Sequence, residues 1–99
     1  MARFLAYRNP SGKGYLLDLQ AEINSHFVTR VVAPLLPVED IPEFAKSLNP
    51  VFEIEGAKVV MATQGMAAVP VAILKHPVCS LEDQRAAIVA AIDLLFQGF

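Results

Sequence analysis

The first half of the chain carries short apolar stretches separated by turn-forming residues, a pattern that predicts β-strands. The stretches RFLAYRN and GYLLDLQ flank the turn-rich PSGKG, a combination typical of a β-hairpin. In the later stretch VFEIEGAKVVMAT, Val51, Glu53 and Glu55 alternate with Phe52 and Ile54, and Gly56 follows as a turn residue. We therefore predict two hairpins, of which the second is the shorter.

Two further apolar stretches contain prolines. In TRVVAPLLPVED, Pro34 and Pro37 cannot donate ladder hydrogen bonds, so we expect an edge strand or a bent strand. The stretch MAAVPVAILKH reads as a buried strand, and Pro70 within it predicts that the strand has an edge or crosses a partner.

The pattern changes at Ser80, where a hydroxyl precedes acidic residues, as at the start of a helix. A helix is predicted through LEDQRAAIVAAIDLLFQ, with Gly98 in the position of a C-terminal stop. Asp93 is the only charge from 86 to 96, so we expect this helix to be buried on more than one side, with a second molecule as the cover. The stretch IPEFAKSLNP predicts a short helical or turn insertion.

Composition limits the possible classes of protein. The 99 residues suit a single domain, 1–99, and their 55% apolar fraction exceeds what one small core hides. Eight basic residues are scattered against ten acidic ones, so we expect no direct nucleic-acid binding by the protein alone. The uncharged stretch Val59 to Leu74 is too short and polar to span a membrane. With one cysteine and no signal-peptide core, we expect a cytoplasmic protein.

Candidate nucleophiles and bases are few. Cys79 precedes the predicted helix, where a helix dipole can lower a thiol pKa. No local motif ties it to His26 or His76, which we interpret as loop or surface residues, and buried structural thiols are far commoner than catalytic ones. No metal-ligand spacing is present, so we expect no metal and no cofactor.

Paired acids and a glycine motif have equally simple interpretations. A solvated face accounts for the pair Glu39 and Asp40 and for the pair Glu53 and Glu55. The GKG at 12–14 lacks the rest of a P-loop and is interpreted as a turn. We therefore expect a protein that is not an enzyme.

Five stretches together resemble, in order and spacing, the CcdB family of plasmid and chromosomal toxins: LLDLQAEI, RVVAPLLP, LNPVFEIEG, MAAVPVAIL and AAIDLLFQGF. The resemblance implies an α+β, mainly β fold, a small barrel shared with the Kid and MazF toxins. That fold has a main antiparallel sheet, a smaller sheet and one long C-terminal helix, and it forms a homodimer. It also implies a toxin that binds the DNA gyrase A subunit and traps the gyrase–DNA cleavage complex.

The resemblance also implies a CcdA-like antitoxin, disordered in part when free, that neutralises the toxin, together with roles in plasmid maintenance and autoregulated transcription. By position, the gyrase-binding residues are Ile23, Asn24, Asp93, Phe96, Gln97, Gly98 and Phe99. The expected dimer interface comprises Met66, Val69, Pro70, Val71, Ile92 and Leu95.

Some of these positions depart from the family pattern. Familiar members carry tryptophan in place of Gln97, asparagine in place of Asp93, and isoleucine in place of Asn24 and Phe99. Phe99 offers an aromatic side chain close to the missing indole. Two alternatives stay open: a MazF-like endoribonuclease on the shared fold, and a degenerate toxin that only binds antitoxin.

Overall fold

The computed structural model describes residues 3–21 and 27–98. These residues form seven strands, β1 to β7, with bounds Leu5–Arg8, Tyr15–Asp18, Thr29–Pro37, Val51–Ile54, Ala57–Met61, Ala67–Pro70 and Pro77–Ser80. A single α-helix in the described residues, α1, spans Arg85–Gln97. Within the same ranges, no helix has the length and apolarity needed to cross a bilayer.

All strand pairs are antiparallel, in the order β4-β5-β3-β2-β1-β7, and β6 also pairs with β3. The sheet curls into a half-barrel with one C-terminal helix. The α+β, mainly β class expected from the sequence is confirmed. So are both hairpins, β1 with β2 and β4 with β5.

β3 is the central strand, so the edge interpretation of its prolines is wrong. One side of β3 pairs with β2, while the other pairs with β6 through 29–32 and with β5 through 35–37. Pro34 lies between the segments that pair with β6 and with β5, so neither ladder needs a hydrogen bond from its backbone nitrogen. Its carbonyl accepts a hydrogen bond from the Ala62 N–H at 2.9 Å.

β6 has the predicted edge position but is not buried within the protomer. Its ladder runs along β3 alone, and Ala67, Ala68 and Pro70 are exposed while Val69 is half-buried. The sequence pattern also missed β7, which pairs with β1. A four-residue strand that begins at Pro77 carries too few apolar positions to show a period.

Two apolar clusters cover the two faces of the sheet, because successive strand residues point to opposite faces. The larger holds Leu17, Leu35, Met61 and the helix residues Ile88 and Ala91, among others. The smaller holds Tyr7, Leu16, Val32 and Leu74.

The helix begins later than predicted. Ser80 is the last residue of β7, and its Oγ accepts from the Glu82 N–H at 3.2 Å, which supports a 3-10 turn, Glu82–Gln84. α1 then starts at Arg85 and ends at Gln97, and Gly98 caps it with a φ of +80°, the left-handed conformation typical of a glycine stop. The insertion before Pro50 is a turn region, as one of the two alternatives predicted.

Candidate target-binding site

The burial of α1 determines which of its residues face solvent. Ile88 and Ala91 are fully buried in the larger core cluster and lie three residues apart, on one side of the helix. Asp93, Phe96 and Gln97 follow at the i, i+3, i+4 spacing of a single face, and all three are exposed. The C-terminal half of the helix therefore presents a continuous surface to solvent.

Phe96 is the main apolar feature of that surface, because 72% of it is exposed. Transfer of a phenylalanine side chain from water into an apolar pocket is worth about 1.5–3 kcal/mol. The backbone beneath it is ordered, since the Gly98 N–H donates to the Leu94 carbonyl at 2.9 Å and closes the last turn. An aromatic ring on a rigid helix end suits insertion into a partner.

Four of the seven predicted gyrase-binding residues are thus brought together at the helix end: Asp93, Phe96, Gln97 and Gly98. The other three, Ile23, Asn24 and Phe99, lie outside the described residues.

A cleft runs beside this surface, between α1 and the turn that precedes β4. Its volume is about 480 Å³, and its lining combines small apolar side chains with one charge of each sign: Lys46, Ser47, Pro50, Ala87, Ala90, Asp93 and Leu94. Asp93 therefore lies at the junction of the cleft and the exposed helix end. The cleft has room for a side chain from a partner.

The predicted dimer residues fall on two parts of the protomer. Met66 and Ile92 pack against the larger core cluster, whereas Val69 packs against the smaller one. Pro70 is exposed, and Val71 and Leu95 are half-buried. These six residues stay a predicted interface.

Within the protomer α1 is buried on one side, and the other side is the one that the sequence analysis expected a second molecule to cover. Ala86, Ala87 and Ala90 are exposed. Cover by a second molecule remains a prediction.

Cys79 is not an activated nucleophile. Burial raises the pKa of its thiol, and the negative charges of Glu55 and Asp83 raise it further. The helix-dipole activation considered from the sequence is therefore not realised, because an α-helix begins only at Arg85. Among the described residues, no group of three His, Cys, Asp or Glu side chains could hold a metal ion.

Glu55 is exposed, as expected of a solvated acid, and two contacts hold its carboxylate. It lies in the turn after β4 with φ +54°. Its Oε2 lies 2.7 Å from an Arg8 guanidinium nitrogen, and its Oε1 accepts from the Tyr15 hydroxyl at 2.6 Å. The Tyr15 hydrogen bond, followed by Arg8, lowers the pKa of Glu55, while the same Glu55 bond raises the pKa of Tyr15. This contact joins the two hairpins.

Two features near the β2–β3 connection were not predicted from the sequence. Asp18 and Arg30 form a buried ion pair, and Phe27 and Val28 are exposed although they are large and apolar. A signal for the first was present, since each strand carries one charge among apolar residues. No sequence signal indicated the exposure of Phe27 and Val28, because a local sequence pattern does not show whether an apolar residue is exposed to solvent.

Comparison with known proteins adds one finding. The family model described as CcdB protein matches residues 3–98, nearly the whole chain. No match is found among curated proteins.

Proposed function

The chain belongs to the CcdB family, and on that premise we propose that it is the toxin of a type II toxin–antitoxin system and poisons DNA gyrase. The observation that carries the proposal is the exposed aromatic surface at the end of α1. Phe96 lies there beside Asp93 and Gln97, three of the positions that the family resemblance assigns to gyrase binding.

The proposed action is binding rather than catalysis. The helix end enters the dimerisation region of the gyrase A subunit and binds the DNA-cleaved conformation more tightly than the resealed one. A ligand with such a differential affinity shifts the equilibrium towards the state it prefers. Cleaved DNA then accumulates, although the toxin itself breaks no bond.

Phe96 takes a larger share of the binding energy here than in a family member with tryptophan at position 97. Gln97 offers no apolar anchor, and large aromatic side chains dominate interface energetics. Phe96 is the exposed aromatic residue of the described helix. Phe99 is proposed to add a second ring.

A homodimer completes the proposed site, because two copies supply two helix ends to a twofold-symmetric target. A CcdA-like antitoxin is the proposed neutralising partner, and the proposed compartment is the cytoplasm. A ligand that binds only the folded toxin raises its melting temperature by mass action. The antitoxin is therefore expected to protect the toxin from thermal unfolding.

The test measures the affinity of the purified protein for a gyrase A fragment that contains the dimerisation region. We expect Phe96→Ala to weaken binding about tenfold or more, in the range of interface hot spots. Its free energy of unfolding should change by no more than about 0.5 kcal/mol, as is usual for an exposed site. The matched control is Val51→Ala, which removes an apolar side chain that is 40% exposed on β4.

Removal of residues 97–99 is the second variant. We expect this protein to stay folded and to lose gyrase binding, since Gln97 and Gly98 lie beyond the last buried helix residue. Gln97→Trp is expected to keep or raise the affinity. Full affinity in both Phe96→Ala and the truncated protein would contradict the proposed site, and binding to an antitoxin without binding to gyrase would identify a degenerate toxin.

A further inference from the structure

The curled sheet ends in two strands that each have a neighbour on one side only. Among the described strands, β4 pairs with β5 alone and β7 pairs with β1 alone. A cleft of about 340 Å³, here called the seam cleft, lies between these two edges, a volume in the range of ligand-binding sites. Its walls include residues of β4 on one side and residues of β7 and the following 3-10 turn on the other: Val51, Phe52 and Glu53, and Cys79, Ser80 and Asp83.

The outer edge of β4 presents backbone groups that β5 does not use. The Met61 N–H donates to the Pro50 carbonyl at 3.0 Å, so these two residues face each other as a hydrogen-bonded pair. Bonded and non-bonded pairs alternate along an antiparallel ladder, which makes Val51 and Glu53 members of non-bonded pairs. Their N–H and C=O groups therefore point away from β5, on the side of the seam cleft that they line. Such an edge is a template for another extended chain.

The seam cleft is negatively charged. Glu53 and Asp83 line it, no basic side chain of the described residues does, and Lys58, opposite Glu53 on β5, lies outside the lining. The Cys79 thiol in the cleft is affected by this charge. Burial is the main cause of its raised pKa, and the carboxylates of Glu55 and Asp83 raise it further. A cleft lined by one sign of charge attracts the opposite sign.

The same charges argue against a second copy of this chain as the occupant. Pairing of β4 with β4 of another copy would bring negative side chains against each other, and like charges opposite one another in a sheet are destabilising. Charged side chains on edge strands prevent such self-pairing. An extended chain with basic side chains meets no such repulsion.

We propose that the seam cleft binds an extended, basic segment of a partner protein, which adds as a strand to the free edge of β4. The backbone groups of Val51 and Glu53 pair with the segment, and its basic side chains lie against Glu53 and Asp83. In binding of this kind, main-chain hydrogen bonds give affinity and the alternate side chains give specificity. The helix-end residues Phe96 and Gln97 do not line this cleft. The inference is therefore independent of the proposed gyrase surface.

The test uses two capped peptides as probes, one in which lysine alternates with valine and one in which glutamate alternates with valine. We expect the lysine peptide to bind, more weakly as salt is added, and the glutamate peptide not to bind. On binding, the Val51 and Glu53 amides should exchange with solvent more slowly, because they become hydrogen-bonded. The Phe52 amide already pairs with β5 and is the internal control. No binding of the lysine peptide, or binding without slower exchange at Val51 and Glu53, would overturn the proposal.

Val51→Pro tests the backbone pairing directly. It removes the N–H that points away from β5 and leaves the β4–β5 ladder intact, so the variant should fold, as proline does at edge strands. We expect its affinity for the lysine peptide to fall roughly tenfold, as a hydrogen bond is lost. The matched control, Val51→Ala, keeps the N–H and should keep most of the affinity. Equal affinities of the two variants would refute strand addition.

The charge preference is tested by the double variant Glu53→Lys with Asp83→Lys, which also keeps the proposal testable if Val51→Pro does not fold. Both positions are exposed, so the fold should tolerate the change. We expect the preference to reverse, with the glutamate peptide bound more tightly than the lysine peptide. The control is Glu39→Lys with Asp40→Lys, the same change of net charge at exposed acids outside the cleft, which should retain the native preference. An unreversed preference in the first variant, or a reversal in the control, would overturn the proposal.

Discussion

Glu55 illustrates how a single exposed residue joins two elements of the fold. One oxygen of its carboxylate accepts a hydrogen bond from the Tyr15 hydroxyl and the other pairs with Arg8, and both partners lie on the first hairpin. The exposed position limits the strength of the ion pair, because solvent screens it. The hydrogen bond from the Tyr15 hydroxyl, ahead of the contact with Arg8, is the largest cause of the lowered pKa of Glu55.

The lowered pKa predicts an acid-sensitive contribution to stability. A carboxyl group whose pKa is lower when folded stabilises the protein fully above its unfolded pKa, and this contribution is lost as the pH falls through the folded value. Urea unfolding at pH 7 and at pH 3 should therefore show a smaller acid-induced loss for Glu55→Gln than for the native protein. Glu53→Gln, at an exposed site on β4, is the control. If acid lowers the free energy of unfolding of Glu55→Gln as much as that of the native protein, the proposed acid-sensitive contribution of Glu55 is wrong.

The residues of such contacts could not be predicted from the sequence. Tyr15 and Glu55 are 40 positions apart, and Arg8 and Glu55 are 47 apart. Local alternation indicates which side of a strand a residue occupies, but not which residue faces it from another element. The same limit applies to Asp18 and Arg30, each visible as a charge in an apolar strand but not as a pair.

The turns of the two hairpins differ in how tightly they are packed. Gly14 and Gly56 have nearly equal φ values of +81° and +80°. A Cβ on Gly14 would lie 2.0 Å from the Leu35 carbonyl oxygen, whereas a Cβ on Gly56 would meet nothing within 4 Å. The first turn therefore needs glycine for close approach as well as for its backbone conformation.

This difference predicts unequal effects of alanine at two conformationally similar glycines. Gly56→Ala should lower the free energy of unfolding by about 1–2 kcal/mol, the cost of a left-handed backbone for a residue with a side chain. Gly14→Ala should cost clearly more, since β3 must shift to relieve the contact with its backbone. Chemical denaturation of the two variants provides the comparison. Equal losses would contradict the close approach at Leu35.

At the level of elements, the sequence predicted the hairpins, the helix and its glycine stop because each carries a local signal. The sequence did not predict that β3 is the central strand of the sheet, because a proline normally indicates an edge strand. Here the partner strand changes from β6 to β5 beside Pro34. This change of partner depends on the arrangement of the whole sheet. The exposure of β6 could not be predicted either, because an apolar strand has the same sequence pattern whether its own chain or a second molecule covers it.

For the whole molecule, the apolar surface left on α1 and β6 predicts a dimer. Sedimentation at micromolar concentration should give about twice the 10.8 kDa of one chain. Leu95→Asp, at a half-buried site in the predicted interface, should prevent dimerisation or folding, since an unpaired buried charge costs roughly 3–5 kcal/mol. Gln97→Asp, on the exposed face of the helix, is the matched control and should remain dimeric. A monomeric native protein would contradict the predicted interface.

The most direct measurement of the central claim is plasmid cleavage by gyrase in the presence of the purified protein. Supercoiled DNA, gyrase and ATP are incubated with the native protein or with Phe96→Ala, and covalently trapped complexes are released with detergent and protease. We predict linear DNA with the native protein, little with Phe96→Ala, and none without gyrase. Absence of gyrase-dependent cleavage at concentrations that saturate binding would contradict the account, and cleavage of RNA in a parallel reaction would favour the endoribonuclease alternative.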